Sequence, residues 1–439
     1  MILPRDPWPR LPSERAQRGA MIALYTLVLA VALAEALRAL GRMEGVIFSS
    51  YLDVGDAVLS GSDPYSLVAN TWPPFFAIES VPLALVGRIS PHLALFLWQL
   101  LGLVATWGVV KLSVEIFEDG PITFRPVSAQ ALALTSSAVI VPLLMTARLF
   151  DEHAQHTQVN VQVLWLVLWG FHHFRRARPG LGGLALALAA STKVIPVLLV
   201  LYLLYKRCWR ETGWTLTWLV VLNLVVVGLA FGPTDGMHLW REWHVVAGRE
   251  LADPTPTFMN QSLLAGVKRA VTPEGGLRDP VTYHVVSWSF ASARTLFLGL
   301  TALFATILAW LFRKRPRDLT GPRAGGELAL CLGAMVVVDP LAWKAHYVVL
   351  ITAYAFCWWA LRKGGAPRWQ WALWWGSLAC LTGSAAAIWG GHRSHVLESY
   401  DVILAGAVML LVLTGSLLAG EAGRGKREVR VLFPLPSPV

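Results

Sequence analysis

The sequence predicts an all-α integral membrane protein: a bundle of about twelve transmembrane helices, with long loops and short juxtamembrane helices on one face. Three observations carry that prediction. The 439 residues are 55% hydrophobic and only 15% charged, against about 25% charged in soluble domains. Apolar runs approaching the ~20 residues needed to cross a ~30 Å hydrocarbon core recur along the chain. Lys and Arg fall in dense clusters between those runs, at 5–18, 175–178, 206–210, 313–317, 362–368 and 424–430. Such clusters mark cytoplasmic loops. They also account for the net charge of +10, and the chain carries no RNA- or DNA-binding motif.

The spans follow in order. The first covers 20–41 and is too long for a signal h-region, so it is a retained span. Within it, Glu35 and Arg38 stand at i, i+3 and read as an intrahelical ion pair. Segment 73–89 is apolar but short. If it crossed the membrane, every later basic cluster would change sides, so it reads as an outer-face helix that dips in without spanning. Spans follow at 92–112, 128–146 and 158–174. Segment 181–206 has basic clusters at both ends, which one span cannot have. It is therefore a hairpin of two short helices, 181–192 and 195–206, with its tip near Thr192, Lys193 and Pro196. Arms of ~12 residues reach only ~18 Å, so the tip sits recessed below the outer surface. The remaining spans are 211–231, 294–312, 327–341, 345–361, 369–389 and 401–420. Both termini fall in the cytoplasm. Residues 1–420 form one membrane domain, and 421–439 a basic tail.

This topology sorts the polar residues. The outer loops are about 42–91, 147–157, 232–293 and 390–400. The first holds Glu44, Asp53, Asp56, Asp63 and Tyr65. The second holds Arg148, Asp151, Glu152, His153 and His156, and runs into Gln158 and Asn160. The hairpin tip brings Lys193, and the long loop Asn260 and Gln261. A later turn brings Asp339, Trp343, Lys344 and His346, and the last loop His392, Arg393, His395 and Glu398.

A cation recessed in a membrane costs ~2.5–3.5 kcal/mol at the centre on insertion scales and usually serves a function. Lys193 is thus the sharpest single residue. It either snorkels or pairs with a carboxylate, or it binds a phosphate at headgroup depth, helped by a helix opening at Pro196. Arg148 and His346 stand at outer span ends, as interface anchors or ligands. His153 and His156 have i, i+3 spacing but fall short of the three or four ligands of a zinc site, and neither a metal nor a cofactor is required. The 21 tryptophans read mostly as interfacial belts and packing. Asn260-Gln261-Ser262 matches a glycosylation sequon, a short pattern with many false matches.

Several segments form an ordered set: Gly55…Gly61-Ser-Asp-Pro-Tyr65, Trp72-Pro-Pro-Phe75, Thr157-Gln-Val-Asn160, Ser191-Thr-Lys-Val-Ile-Pro196, Asn260-Gln-Ser262 and Trp343-Lys-Ala-His346-Tyr347. Over roughly 40–350, this set resembles glycosyltransferase family 87, polyprenyl-phosphate-sugar transferases with a GT-C fold. The resemblance implies a lipid-linked donor, a catalytic carboxylate in the first outer loop, and inverting transfer without a nucleotide or an obligatory metal. It also implies roles for Gln158 and Asn160, for Lys193 as the hairpin lysine, for Asn260 and Gln261, and for His346. Two departures stand out. Thr157 replaces a glycine, and the family's aspartate slot falls at Ile47, with Tyr51 as the following aromatic.

The expected function is transfer of a hexose, mannose by the resemblance, from a polyprenyl-phosphate sugar to an outer-face lipid or glycan acceptor. The acceptor hydroxyl needs a carboxylate base, expected as Asp53, then Glu44, then Asp56. The leaving phosphate needs fixed cations or donors, expected as Lys193, Arg148 and His346. Gln158, Asn160, Asn260, Gln261 and Tyr65 are the expected substrate-binding residues. The rivals are a transporter or lipid flippase, which would place its charges near the midplane and often show repeated halves, and a non-catalytic lipid-binding member of the same fold.

Overall fold

The computed structural model describes residues 47–432 apart from 68–69, 119–121, 124–131, 134–135, 253–256, 275–278 and 315–316, together with Ala30 and Ala34. The predicted first span, with Glu35 and Arg38, and the first-loop Glu44 lie outside the described residues.

The described chain is helical apart from one pair of two-residue strands, Ile122–Thr123 and Leu132–Ala133. Helices α1 (Ile47–Leu59), α2 (Pro74–Ile89) and α3 (Pro91–Glu115) come first. They are followed by α4 (Ser137–Gln155), α5 (Asn160–Arg175), α6 (Pro179–Thr192), α7 (Ile195–Tyr205) and α8 (Trp209–Phe231). Next are α9 (Pro233–Ala252), α10 (Leu263–Val271), α11 (Phe290–Phe312) and α12 (Gly321–Val338). A 3-10 stretch, Lys344–Leu350, leads into α13 (Ile351–Arg362). The last are α14 (Arg368–Leu381), α15 (Ala386–Trp389), α16 (Gly391–Ser399) and α17 (Val402–Leu432).

Local chemistry sets the breaks. Between α2 and α3, Ser90 accepts from the Leu93 amide at 3.3 Å and Pro91 takes the first helical position, the preferred place for a residue without an N–H. Gly232, at φ 85°, turns α8 into α9, a conformation glycine adopts without steric cost. At Gly55 a Cβ would lie 2.5 Å from the Ser80 carbonyl oxygen, so glycine lets α1 and α2 close on each other.

Among the described residues, five helices are long and apolar enough to cross a membrane: α3, α8, α11, α12 and α17 as far as Gly420. They coincide with the predicted spans 92–112, 211–231, 294–312, 327–341 and 401–420. The predicted hairpin is also present as two shorter apolar helices, α6 and α7, that break at Lys193. The 14 residues of α6 and the 8 α-helical residues of α7, Leu198–Tyr205, reach about 21 and 12 Å. Two expectations shift. The helix expected over 128–146 covers Ser137–Gln155 instead, so Asp151 and Glu152 are helical. Gln155 donates to Asp151 at 2.8 Å, one turn apart. The span expected over 369–389 stops at Leu381, where Thr382 and Gly383 close the helix on the Leu378 carbonyl.

One hydrophobic cluster runs from Phe48 on α1 to Leu418 on α17. Large apolar side chains also face outward, including Leu97, Leu101 and Val104 on α3 and Leu303, Ile307 and Trp310 on α11. On a soluble protein such rows would be exposed apolar patches. On spanning helices they are the lipid-facing surface.

The bundle has two chemically different ends. At one, the basic segments are tied together. Lys206 pairs with Glu327 at 2.8 Å and donates to the Lys314 carbonyl at 2.9 Å, Arg175 donates to the Ile116 carbonyl at 3.3 Å, and Arg362 pairs with Glu118. At the other, the hairpin turns at Lys193.

Candidate functional site

At the hairpin end lies a cavity of about 410 Å³. Segments far apart in sequence wall it: α1, the Thr71–Pro73 turn, the 158–160 turn, the hairpin tip, α9 and the 339–346 turn. Three tryptophans line it, Trp72, Trp243 and Trp343. Trp72 is held by its backbone. Its carbonyl accepts from the Tyr65 hydroxyl at 2.7 Å, and its amide donates to the Asn70 side chain at 3.3 Å. Its ring meets that of Tyr51 edge-on at 4.9 Å. Tyr65, an expected substrate ligand, thus stands behind the wall and fixes Trp72.

Lys193 follows the last turn of α6 in extended backbone, φ −144° and ψ 117°. That conformation turns its side chain out of the helix and into the cavity. The half-buried ammonium donates to Asn160 Oδ1 at 2.7 Å. The Asn160 amide in turn donates to Gln158 Oε1 and, at 3.2 Å, to the Ala345 carbonyl. The predicted trio Lys193, Asn160 and Gln158 is therefore one hydrogen-bonded chain across three segments. An ammonium has three donors, and Asn160 takes one.

Ahead of this chain, Thr157 has φ 51°. A β-branched residue is strained in the left-handed region, which explains the glycine of the family pattern here. The chain compensates with two hydrogen bonds, Thr157 Oγ1 to the His156 carbonyl at 2.7 Å and Trp98 Nε1 to the Thr157 carbonyl at 2.9 Å.

His346 also lines the cavity, half-buried, and its Nδ1 has no hydrogen-bond partner. The other expected residues stand elsewhere. Asp53 and Asp56 are exposed on α1 and do not line the cavity, and Asp56 pairs with Arg88 at 2.6 Å. Burial and, second, the Asp56 charge push the Asp53 carboxyl above the ordinary range. The cavity side of α1 is instead Ile47, Ser50 and Tyr51. Arg148 is buried and bound to Glu398, with Ser384 Oγ at 2.6 Å and the Leu381 carbonyl at 3.0 Å. Lys344 joins the same carboxylate at 3.0 Å and Glu152 at 2.8 Å. The Arg148 charge is thus engaged within an ion-pair network, and the residue does not line the cavity.

Asn260 and Gln261 are 1% and 0% exposed and do not line the cavity either. They build its floor from behind. Asn260 Oδ1 accepts from the Ala342 amide at 3.1 Å, and its Nδ2 donates to the Pro340 carbonyl at 3.0 Å. The Gln261 amide donates to the Ala342 carbonyl at 2.8 Å, and Ser262 Oγ to the Pro340 carbonyl at 3.1 Å. An asparagine so enclosed is no glycan acceptor.

That turn also carries Asp339. Among the described residues lining the cavity, Asp339 is the one carboxylate. Its Oδ1 accepts from the Leu341 amide at 3.1 Å. The available signal was a carboxylate ending an apolar helix seven residues before His346.

Beside the polar cavity lies an apolar one of about 430 Å³, walled by α2, α3, α5 and the end of α6. Val159 lines both cavities, and Thr192 of the apolar wall precedes Lys193 in the chain. Leu97 and Leu101, on the lipid-facing side of α3, form part of its wall. Glu79 also lines it and accepts from the Thr192 hydroxyl at 2.7 Å.

Known proteins are similar to this chain in sequence. A polyprenol-phosphate-mannose-dependent alpha-(1-2)-phosphatidylinositol pentamannoside mannosyltransferase of Mycolicibacterium smegmatis is 26% identical over 341 residues, covering 76% of this chain and 68% of that relative. A polyprenol-phosphate-mannose-dependent alpha-(1-2)-phosphatidylinositol mannoside mannosyltransferase of the same organism is 24% identical over 285 residues, covering 64% of this chain and 60% of the relative. Its Mycobacterium tuberculosis namesake is 22% identical over 284 residues, with the same coverage of 64% and 60%. No solved structure matches the chain. The model of glycosyltransferase family 87 matches residues 70–340. That stretch holds the Trp72 turn, the Gln158–Asn160–Lys193 chain, the Asn260 cradle and Asp339, and by this match the chain belongs to glycosyltransferase family 87.

Proposed function

We propose that this protein transfers mannose, with inversion, from a polyprenyl-phosphate-linked donor to a lipid acceptor at the outer face of the membrane. The carrying observation is Lys193. A cation held by Asn160 at 2.7 Å projects into a polar cavity at the mouth of an apolar one. When the glycosidic bond of the donor breaks, negative charge develops on a phosphate, and a fixed cation in a water-poor site stabilises it. The two remaining Lys193 donors suit that phosphate, with His346 lining the same cavity. The apolar cavity suits the first isoprene units behind it, with the lipid-facing Leu97 and Leu101 at its wall. Gln158 and Asn160 remain to orient sugar hydroxyls.

Sidedness follows from charge. The tied basic segments lie opposite the hairpin tip, so the positive-inside rule puts them in the cytoplasm and the cavity outside. Both termini then fall on the cytoplasmic side. Family membership favours a transferase over the transporter alternative.

The test uses purified full-length protein in nanodiscs, polyprenyl-phosphate mannose and extracted membrane lipids, with the product identified by mass spectrometry. A mannosylated lipid is expected. Donor binding without any product would leave the non-catalytic lipid-binding reading in its place. Lys193→Ala is expected to lose most donor affinity, and Lys193→Arg to keep part of it, since the charge survives with altered geometry. Normal donor binding by Lys193→Ala would separate the lysine from the phosphate.

A further inference from the structure

Resting on that reading, we propose that Asp339, rather than a first-loop carboxylate, is the catalytic base that takes the proton of the acceptor hydroxyl. In the reaction the acceptor oxygen bonds to C1 of the sugar as its proton passes to the Asp339 carboxylate. The bond from C1 to the phosphate oxygen breaks, and its electron pair leaves with the polyprenyl phosphate. Nothing is oxidised or reduced.

Four observations carry this. Asp339 is the one carboxylate among the described residues lining the cavity that also holds Lys193 and His346. The α1 residues that face the same cavity, Ile47, Ser50 and Tyr51, include no carboxylate, while Asp53 and Asp56 are exposed elsewhere. The carboxylate is half-engaged: Oδ1 accepts from the Leu341 amide at 3.1 Å, and Oδ2 makes no hydrogen bond among the described residues. One oxygen is thus anchored and the other free to meet a hydroxyl, the geometry a general base needs. Last, the turn bearing Asp339 is locked from behind by buried Asn260, Gln261 and Ser262, through hydrogen bonds to Pro340 and Ala342 at 2.8–3.1 Å. A buried polar cradle around an otherwise ordinary turn is what preorganisation of a reacting group requires. Lys193 lines the same cavity, so one space would serve the donor phosphate and the acceptor hydroxyl together.

The experiment measures steady-state transfer and donor binding in nanodiscs for Asp339→Asn, Asp339→Glu, Glu44→Gln and Asp53→Asn, beside the wild type. Asp339→Asn should lower kcat by ~10²–10⁴-fold, the range for loss of a general base, with donor Kd within about twofold of wild type. Asp339→Glu keeps a carboxylate on a longer arm. It should retain part of the turnover and shift the acidic limb of the pH–rate profile. Asp53→Asn and Glu44→Gln should stay within about threefold of wild type. The proposal is overturned if Asp339→Asn turns over normally, or if Glu44→Gln or Asp53→Asn alone gives the large loss. It is also overturned if Asp339→Asn changes donor Kd while leaving kcat intact, which would make Asp339 only a charge partner of Lys193. Should Asp339→Asn fail to fold, an unmoved acidic limb in Asp339→Glu overturns it. Absence of any transfer by the wild type would instead defeat the transferase reading, and this inference with it.

Discussion

Lys193 and Arg148 looked alike in the sequence, as cations near outer span ends, and the fold separates them. Lys193 was legible because a lysine at a proline-flanked break between two short helices has little else to be. Arg148 was not, because its partner Glu398 lies 250 residues away, and no local pattern shows such a pair. A buried ion pair broken on one side leaves the other charge uncompensated, at ~3–5 kcal/mol. Arg148→Ala should fall toward the low end of that range, since Lys344 still faces Glu398 at 3.0 Å. The expected result is a lower Tm with donor affinity retained in the folded protein. Lost donor affinity at an unchanged Tm would return Arg148 to the phosphate site. Asp339 is less legible, because the residues that share its cavity come from segments far apart in sequence.

Among the elements, the hairpin was readable for a reason independent of its residues: one apolar segment with basic clusters at both ends cannot cross once. The ends of α4 and α14 were not. Asp151 and Glu152 read as loop, yet polar residues continue a helix when its backbone bonds are already in place. The Asn260-Gln-Ser262 element was visible as a motif, but its direction was not. It faces backward, into the turn it supports, and not toward the cavity. Asn260→Ala would orphan the buried Ala342 amide, while the Pro340 carbonyl keeps the Ser262 hydroxyl, at ~1–3 kcal/mol for a buried group left unpaired. Tm should drop by several degrees, and kcat should fall with donor Kd unchanged, because only the floor of the site loosens. Unchanged kcat in this variant would mean that the cradle serves stability alone.

For the whole molecule, charge asymmetry predicts sidedness, and exposed positions now exist to test it. Cysteines replacing Ser287 and Arg393, both exposed, should react with an impermeant thiol reagent in intact cells. Cysteines replacing Arg176 and Lys363, also exposed, should react only after permeabilisation. The opposite pattern would invert the bundle and move the cavity to the cytoplasm. The apolar cavity beside Lys193, with lipid-facing leucines in its wall, has a kinetic consequence. A donor that enters sideways from the bilayer is found by a search in two dimensions, so its effective concentration is a mole fraction in the membrane and not a molarity in the buffer. Diluting proteoliposomes tenfold with buffer should leave turnover per enzyme unchanged. Adding inert phospholipid to the same vesicles at fixed donor should slow it in proportion. A rate that instead followed bulk donor concentration would mean that the substrate arrives through water.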